Sequence, residues 1–380
     1  MGRIVLNPHR RSGYLTATPS REPLAFHRRL PGYAPAPLRR LTELAARLGV
    51  GEVLLADESD RFGLPAFKIL GASWAVICAL RERLGSDLEP WATLEELRAK
   101  LERARPLTFV AATDGNHGRA VARMAKLLGF GARIYLPAHS VRARVAAIES
   151  EGAEAVLVEG SYDDAVKLAG EQGGPGTLLV QDTSLPGEEE LPLRVIEGYS
   201  TMFWEMEDEL RRSKSRAPDL VLVQIGVGAL AAAAIAHFRS PAAGPHTRII
   251  GVEPTRAACA LAAIEAGEIV TLPGPQDSIM AGLNCGTVAA FAWPALRDGL
   301  DAIVAVEDER CREAMRILAA EEIVAGESGA AGLAGLLELA LGPDAALARA
   351  RLDLGPAARV LVLSTEGATD PDAWRRIAGR

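Results

Sequence analysis

The chain has 380 residues, 49% hydrophobic and 24% charged, with a formal net charge of −7. This composition is typical of a soluble globular protein of about two domains, and the acidic balance argues against a nucleic-acid partner. The first residues lack the apolar core of a secretory signal, and the apolar run 229–238 is too short to span a bilayer. We therefore expect a cytoplasmic protein with no membrane partner.

Short apolar runs alternate with glycine-containing turns and helix-like segments along the chain. Strands are predicted at 108–113, 132–137, 153–160, 219–225, 247–254 and 358–367. Helices are predicted at 119–129, 141–151, 161–172 and in the alanine-rich segment after GVGAL. Continuous apolar strands in such alternation predict parallel sheets covered by helices on both faces. The polar segment 181–199 is predicted to connect two α/β regions, where a ligand cleft is expected.

The four cysteines are Cys78, Cys259, Cys285 and Cys311, and none of them forms a CxxC pair. Their spacing supports neither a zinc site nor a redox motif, so we expect no metal. Free cysteines are usually small buried apolar residues, which is the favoured interpretation here. Cys259 and Cys285 lie in neighbouring segments, and the sequence leaves open whether their thiols are close.

The segment GVGAL, residues 226–230, follows a buried strand and precedes a helix. Backbone amides there can converge on an anion at the helix N-terminus. Gly226, Gly228 and Ala231 also fit a dinucleotide-binding pattern, with Glu253 at the end of the next strand as a ribose partner. A tight turn with no ligand is the third alternative.

Lys68 lies between Phe67 and Ile69 in the segment 58–76, which is predicted to be largely buried. A buried ammonium is costly unless it is paired, so such a lysine usually shifts its pKa or forms a covalent bond. An imine with an aldehyde cofactor would remove that cost. The local sequence alone, however, favours a surface lysine whose amino group extends to water.

The segment 112–125, ATDGNHGRAVARMA, connects a strand to a helix through small residues that permit close approach of a planar ligand. Asn116 can donate to a phenolic oxygen through its side-chain amide. Asp114 fits either a helix N-cap or a catalytic carboxylate. His117 is a catalytic candidate, but packing or hydrogen bonding beneath the loop is the favoured interpretation.

The order of lysine segment, asparagine loop and GVGAL resembles the fold-type II pyridoxal-phosphate enzymes, the superfamily of serine/threonine dehydratase and tryptophan synthase β. The more specific motifs, RFGLPAFK, TDGNHGR and MAGLNCG, resemble the diaminopropionate ammonia-lyase family. The resemblance runs from residue 26 almost to the C-terminus. It implies two three-layer α/β domains with mainly parallel sheets and the active site between them. The large cofactor-binding domain would comprise 1–75 and 200–380, and the small domain 76–199.

The resemblance also implies pyridoxal 5'-phosphate as the cofactor, with Lys68 as its Schiff-base lysine and Asn116 on its phenolic oxygen. A hydroxyl, that of Ser364, would face the pyridine nitrogen. The residues implied to cradle the phosphate are Gly226, Val227, Gly228, Ala229 and Leu230.

The implied reaction is α,β-elimination of 2,3-diaminopropionate to pyruvate and ammonia in a homodimer. Lys68 would remove the Cα proton from L-substrates, and Asp114 would do so from D-substrates. Asp182 would pair with the distal amino group of the substrate, with Tyr162 as a weaker candidate for the same pocket.

The chain departs from the family pattern at 185–190, Leu-Pro-Gly-Glu-Glu-Glu, where an aromatic residue and a Glu-Gly-Tyr sequence are usual. The glutamate run is typical of a solvated turn, although a cation-binding role stays open. Because this segment could form a substrate wall, β-elimination or β-replacement on serine, threonine or another substituted alanine is an alternative. A catalytically silent homologue is a third hypothesis, disfavoured by the intact Lys68, Asn116 and phosphate loop.

Overall fold

The computed structural model of the chain describes residues 2–113, 115–160, 162–182, 189–243 and 246–379. Its strands are β1 (Arg3–Leu6), β2 (Leu38–Arg40), β3 (Glu52–Asp57), β4 (Thr108–Ala112), β5 (Gly131–Pro137), β6 (Glu154–Val158), β7 (Thr177–Leu179), β8 (Leu220–Gln224), β9 (Arg248–Pro254), β10 (Ala302–Val306) and β11 (Arg359–Ser364). Its α-helices are α1 (Glu22–His27), α2 (Thr42–Leu48), α3 (Lys68–Leu84), α4 (Leu94–Leu101), α5 (Asn116–Leu128), α6 (Arg142–Glu149), α7 (Tyr162–Gly170), α8 (Glu190–Arg212), α9 (Ala229–Phe238), α10 (Cys259–Ala266), α11 (Trp293–Gly299), α12 (Asp308–Ala320), α13 (Ala331–Leu341), α14 (Ala345–Leu352) and α15 (Pro371–Ala378).

Unit 1 contains the residues up to Ser20, Pro35–Asp60 and the chain from Met202 onward. Its sheet has the strand order β1-β10-β9-β8-β11-β3-β2. The inner pairs are parallel, whereas the edge strands β1 and β2 are antiparallel to their neighbours. Strands β8, β10 and β11 are buried along their whole length, which explains their continuous apolar sequences.

Unit 2 contains Arg21–Ala34 and Arg61–Thr201. Its sheet has the order β6-β5-β4-β7, and all of these pairs are parallel. Helix α3 is buried from Ile69 to Leu80, because its sequence is apolar on every face. Helix α5 ends at a left-handed Gly129, a common conformation after the last turn of a helix.

The predicted strands and helices are present, with ends that differ by a few residues, and the sheets are parallel apart from two edge strands. Both units therefore have the predicted α/β architecture. The units divide at Ser20/Arg21, Ala34/Pro35, Asp60/Arg61 and Thr201/Met202, whereas the predicted domains divide after 75 and after 199. Residues 21–34 and 61–75, predicted to lie in the large domain, therefore group with unit 2. Segment 61–75 groups with unit 2 because it begins α3, which packs on α5 and α1.

Within the described ranges, no single helix is both long and apolar enough to cross a membrane. Helices α13 and α14 taken together are long and apolar enough, but the two helices are bent by 101° at the break between them.

Candidate active site

Lys68 is the first residue of α3, and its side chain is 24% exposed. Its Nζ donates to Oδ2 of Asp182 at 2.6 Å, a charge-assisted hydrogen bond within unit 2. The amino group also lies 5.6 Å from the centre of the Phe67 ring. The surface interpretation of Lys68 is therefore wrong, because the ammonium is paired inside the unit.

Asp182 follows β7 by three residues and is buried. Burial alone would raise the pKa of this carboxyl, but His117 and the ammonium of Lys68, which donates to it, lower the pKa to about 2. Asp182 is thus ionised at any physiological pH. A buried carboxylate of this kind needs a cation beside it, and in this structure the cation is Lys68.

His117 is buried in the first turn of α5, as expected for a residue beneath the loop. Its Nε2 lies 2.9 Å from the Val180 carbonyl oxygen, which can only accept, so Nε2 carries the proton. Its Nδ1 lies 3.7 Å from Oδ2 of Asp182. Burial lowers the pKa of His117, with Lys68 adding to the effect and Asp182 opposing it. The ring is therefore neutral at pH 7, where Nδ1 holds a lone pair beside the Lys68–Asp182 ion pair. Only its protonated form, at acid pH, lowers the pKa of Asp182.

Tyr199 is a neighbour of this cluster that the sequence interpretation did not single out. Its ring packs on Phe67 with centroids 4.7 Å apart, and burial raises its pKa while Lys68 opposes the change. A Cβ on Gly71 would lie 2.5 Å from the Tyr199 ring, and a Cβ on Gly198 would lie 2.4 Å from the Leu70 carbonyl. These two glycines let α3 and α8 touch and so bring Tyr199 to Lys68. The signal was present in the sequence EGY, residues 197–199.

The loop before α5 is held by the hydroxyl of Thr113, which accepts from the amides of Gly115 and Gly118 at 2.9 and 3.1 Å. Asn116 begins α5, at the end of this turn. Asp114 lies outside the described residues, as does the segment 183–188. Tyr162 begins α7 and is half-buried.

In unit 1, the predicted phosphate loop joins β8 to α9, which begins at Ala229. Gly228 has φ +108°, a conformation that side chains rarely adopt. The first turn of a helix leaves backbone N–H groups without partners inside the helix, and in α9 these groups follow the loop. A turn of this kind can bind an anion, and the predicted role of 226–230 in holding a phosphate stays a prediction.

Ser364 ends β11 and is fully buried. Its carbonyl accepts from the Glu58 amide at 2.8 Å. Its Oγ has no hydrogen-bond partner among the residues that the structure describes. A buried hydroxyl in this state is expected to meet a ligand or water.

Glu253 is the second-to-last residue of β9, close to the strand end that the dinucleotide alternative requires, but its carboxylate is already bound within unit 1. Its two oxygens accept from the amides of Ala260 and Leu261 at 2.8 and 2.9 Å, in the first turn of α10. Burial raises its pKa to about 7, against the lowering effect of those amides. Glu253 caps a helix, and the dinucleotide interpretation loses its ribose partner.

The four cysteines are free; Cys285 is partly exposed and the others are buried. Cys259 lies 3.6 Å from a carboxylate oxygen of Glu253, and burial raises the pKa of its thiol, an effect that Glu253 and Cys285 reinforce. In the part of the chain that the structure describes, no group of three His, Cys, Asp or Glu side chains could hold a metal ion.

Residues 29–366 match the model of a family described as pyridoxal-phosphate dependent enzyme. The chain is 39% identical to diaminopropionate ammonia-lyase of Salmonella typhimurium over 367 residues, which cover 94% of this chain and 91% of the relative. Two solved structures of the Escherichia coli enzyme, one with an aminoacrylate-PLP azomethine reaction intermediate and one with D-serine, superpose with TM-scores of 0.90 and 0.91 at 34% identity. Each covers 100% of this chain and 97% of the solved chain.

Proposed function

The chain belongs to the pyridoxal-phosphate-dependent enzyme family, and we propose that it eliminates ammonia from 2,3-diaminopropionate to give pyruvate and ammonia. The observation that carries this proposal is the similarity to diaminopropionate ammonia-lyases over nearly the whole chain. Both nitrogens of the substrate leave as ammonia, the second when the released enamine is hydrolysed.

The residues present fit pyridoxal phosphate at its aldehyde, its ring nitrogen and its phosphate. Lys68 provides a primary amine for its aldehyde, and the buried Ser364 hydroxyl has a free hydrogen-bonding capacity that suits a ring nitrogen. A Cβ on Gly226 would lie 3.2 Å from the Gly282 carbonyl and 3.3 Å from Sγ of Cys285, so a side chain here would press on the residues packed against this loop. When bound, the cofactor accepts the electron pair left at the substrate Cα.

Asp182 would exchange one cation for another during the reaction. Once the Lys68 amine is engaged by the cofactor or freed as a neutral base, Asp182 loses the ammonium that now compensates its charge. The distal ammonium of diaminopropionate is of the same chemical type and would take that place. Lys68 would then remove the Cα proton of the L-isomer, and the departing group would be the one that Asp182 positions.

The other roles proposed for single residues follow from family membership. Asn116 would bind the phenolic oxygen of the cofactor, and Asp114 would remove the Cα proton of the D-isomer. Tyr162 is the weaker candidate for the distal-amine pocket. The phosphate would be bound by Gly226, Val227, Gly228, Ala229 and Leu230.

A second candidate function is β-elimination or β-replacement on another β-substituted alanine, such as serine or threonine. The sequence at 185–190 supports this second candidate, because the aromatic residue usual in the lyase family is replaced by Leu-Pro-Gly. We also propose that the protein is a homodimer in the cytoplasm. Sedimentation equilibrium at several protein concentrations tests the dimeric state.

The test is a substrate panel with detection of the 2-keto acid and of ammonia. It contains both enantiomers of diaminopropionate, both enantiomers of serine, and L-threonine. The proposal expects diaminopropionate to have the highest kcat/KM, and Asp114→Asn to weaken turnover of D-substrates selectively. A serine or threonine kcat/KM above that of diaminopropionate would select the second candidate.

A further inference from the structure

Gln224 is the last residue of β8, two positions before Gly226, and its side chain is buried in unit 1. Its Nε2 lies 2.8 Å from the Leu363 carbonyl oxygen, 3.1 Å from that of Gly329 and 3.3 Å from that of Ser328. Because a carbonyl can only accept, all three contacts require the NH2 end of the amide at this position. The amide orientation is therefore fixed by its surroundings.

The side chain of Gln224 lies where the backbone ladder between β8 and β11 stops. The two strands are in parallel register from Leu220–Leu222 opposite Val360–Val362, and the register ends there. Beyond this point β8 continues into the phosphate loop and β11 continues to Ser364. The bond from Gln224 to the Leu363 carbonyl thus joins the strands across the opening, one residue before Ser364.

The amide is also confined on its other side. A Cβ on Gly332 of α13 would lie 3.0 Å from the Leu363 carbonyl and 3.4 Å from Oε1 of Gln224, so the helix backbone packs directly on this contact. Oε1 of Gln224 is buried and has no hydrogen-bond partner within the described residues. The Gln224 side chain thus leaves Oε1 without a hydrogen bond, while its NH2 connects β8 to residues 328–329 and to β11. Its contribution to the structure therefore lies in this connection.

We propose that Gln224 is a positioning residue that fixes the distance between the phosphate loop and the Ser364 hydroxyl. It would thereby let one cofactor molecule engage both at the same time. This inference rests on the proposed function, since it requires pyridoxal phosphate as the shared ligand. If Gln224 were only a structural crosslink, its loss would lower the stability of the fold. It would not change the affinity for a ligand that contacts the phosphate loop and Ser364 at the same time.

The test compares Gln224→Glu and Gln224→Met with the full-length wild-type chain. Glu is isosteric but places a carboxylate against three carbonyl oxygens, and Met removes the donor without adding charge. We measure dissociation constants for pyridoxal phosphate, pyridoxal and inorganic phosphate, and the visible spectrum of the bound cofactor. Affinity for the whole cofactor should fall about tenfold or more in both variants. Affinities for the two fragments should change by less than about threefold, because each contact survives and only their combination is lost.

The matched control is Val223→Ala, which loosens the packing of the same strand at a fully buried position. It should lower the melting temperature and leave the cofactor affinity and spectrum unchanged. Wild-type affinity in both Gln224 variants, or an equal loss with Val223→Ala, overturns the inference and leaves the proposed function intact. A wild-type chain that does not bind pyridoxal phosphate overturns both.

Discussion

The proposed site residues of the two units differ in charge. In unit 2 they are Lys68, Asp182 and the neutral His117, ionisable groups in mutual contact. In unit 1 they are backbone amides, the hydroxyl of Ser364 and the amide of Gln224, none of which ionises. We propose on this basis that the residues of unit 2 hold and move protons and that those of unit 1 bind and align the cofactor. Changes in unit 2 should therefore affect kcat, and changes in unit 1 should affect cofactor affinity.

Lys68→Ala should have the largest effect, because it removes both the attachment of the cofactor and the base for L-substrates. We expect kcat for L-diaminopropionate to fall about 10³-fold or more. Stopped assays of pyruvate formation measure this loss. A variant that retains a tenth of wild-type kcat would contradict the assignment of proton handling to Lys68.

Asp182→Asn tests whether the charge in unit 2 recognises the substrate. A neutral amide cannot replace the carboxylate as partner of an ammonium, so kcat/KM for diaminopropionate should fall roughly 100-fold. Serine lacks the distal ammonium and should lose far less. Glu89→Gln is a control in the same unit, since it weakens a half-exposed cluster with Arg29 and Arg81 and should leave kcat/KM unchanged. Equal losses on both substrates would show that Asp182 acts only on Lys68.

Each unit also buries an ionisable group away from these contacts, and the two pKa shifts have opposite signs. Burial, reinforced by Arg61, lowers the pKa of His27 in unit 2 from 6.5 to about 3. Between these pH values the unfolded chain binds the extra proton, so stability is fully present above pH 6.5 and is lost as the pH falls. Burial raises the pKa of Glu253 in unit 1 from 4.5 to about 7. There the folded chain binds the extra proton, so stability is lost as the pH rises through this window.

Urea unfolding at pH 5, 6 and 7 can separate these contributions. Relative to wild type, Glu253→Gln should make the free energy of unfolding rise more steeply with pH, by up to about 1.4 kcal/mol per pH unit. His27→Gln should make it rise less steeply below pH 6.5, despite the loss of bonds to Thr201 and Leu70. Parallel pH profiles for wild type and both variants would refute the shifts.

Ser364→Ala should have the smallest effect, and its sign should depend on the cofactor. Without cofactor the variant loses a buried hydroxyl that has no partner in the described chain, so stability should stay equal or rise by about 1 kcal/mol. Affinity for pyridoxal phosphate should fall about tenfold, as in the Gln224 variants, because the ring nitrogen loses its hydrogen bond. Thermal melts with and without cofactor measure both. A lower melting temperature of the cofactor-free variant would mean that the hydroxyl has a structural role.

The local pattern of the sequence was sufficient for the strands and for the helices after the glycine turns, whereas it favoured a surface position for Lys68. It was not sufficient for contacts between distant segments. Asp182 lies 114 residues from Lys68, and the acceptors of Gln224 lie more than 100 residues beyond it. Gln224 looks like an ordinary strand end, and Glu253 fits a ribose-binding pattern until α10 is seen to occupy its oxygens. Tyr199 was overlooked because its approach to Lys68 depends on two glycines in different helices.

The central claim is that Lys68 carries the cofactor. Full-length protein incubated with pyridoxal phosphate is reduced with borohydride, digested and examined by mass spectrometry. We predict that the reduced cofactor is attached to Lys68 in the wild-type chain and that this modified peptide is absent from Lys68→Ala. Attachment to another lysine, or turnover of diaminopropionate with no modified Lys68, would contradict it.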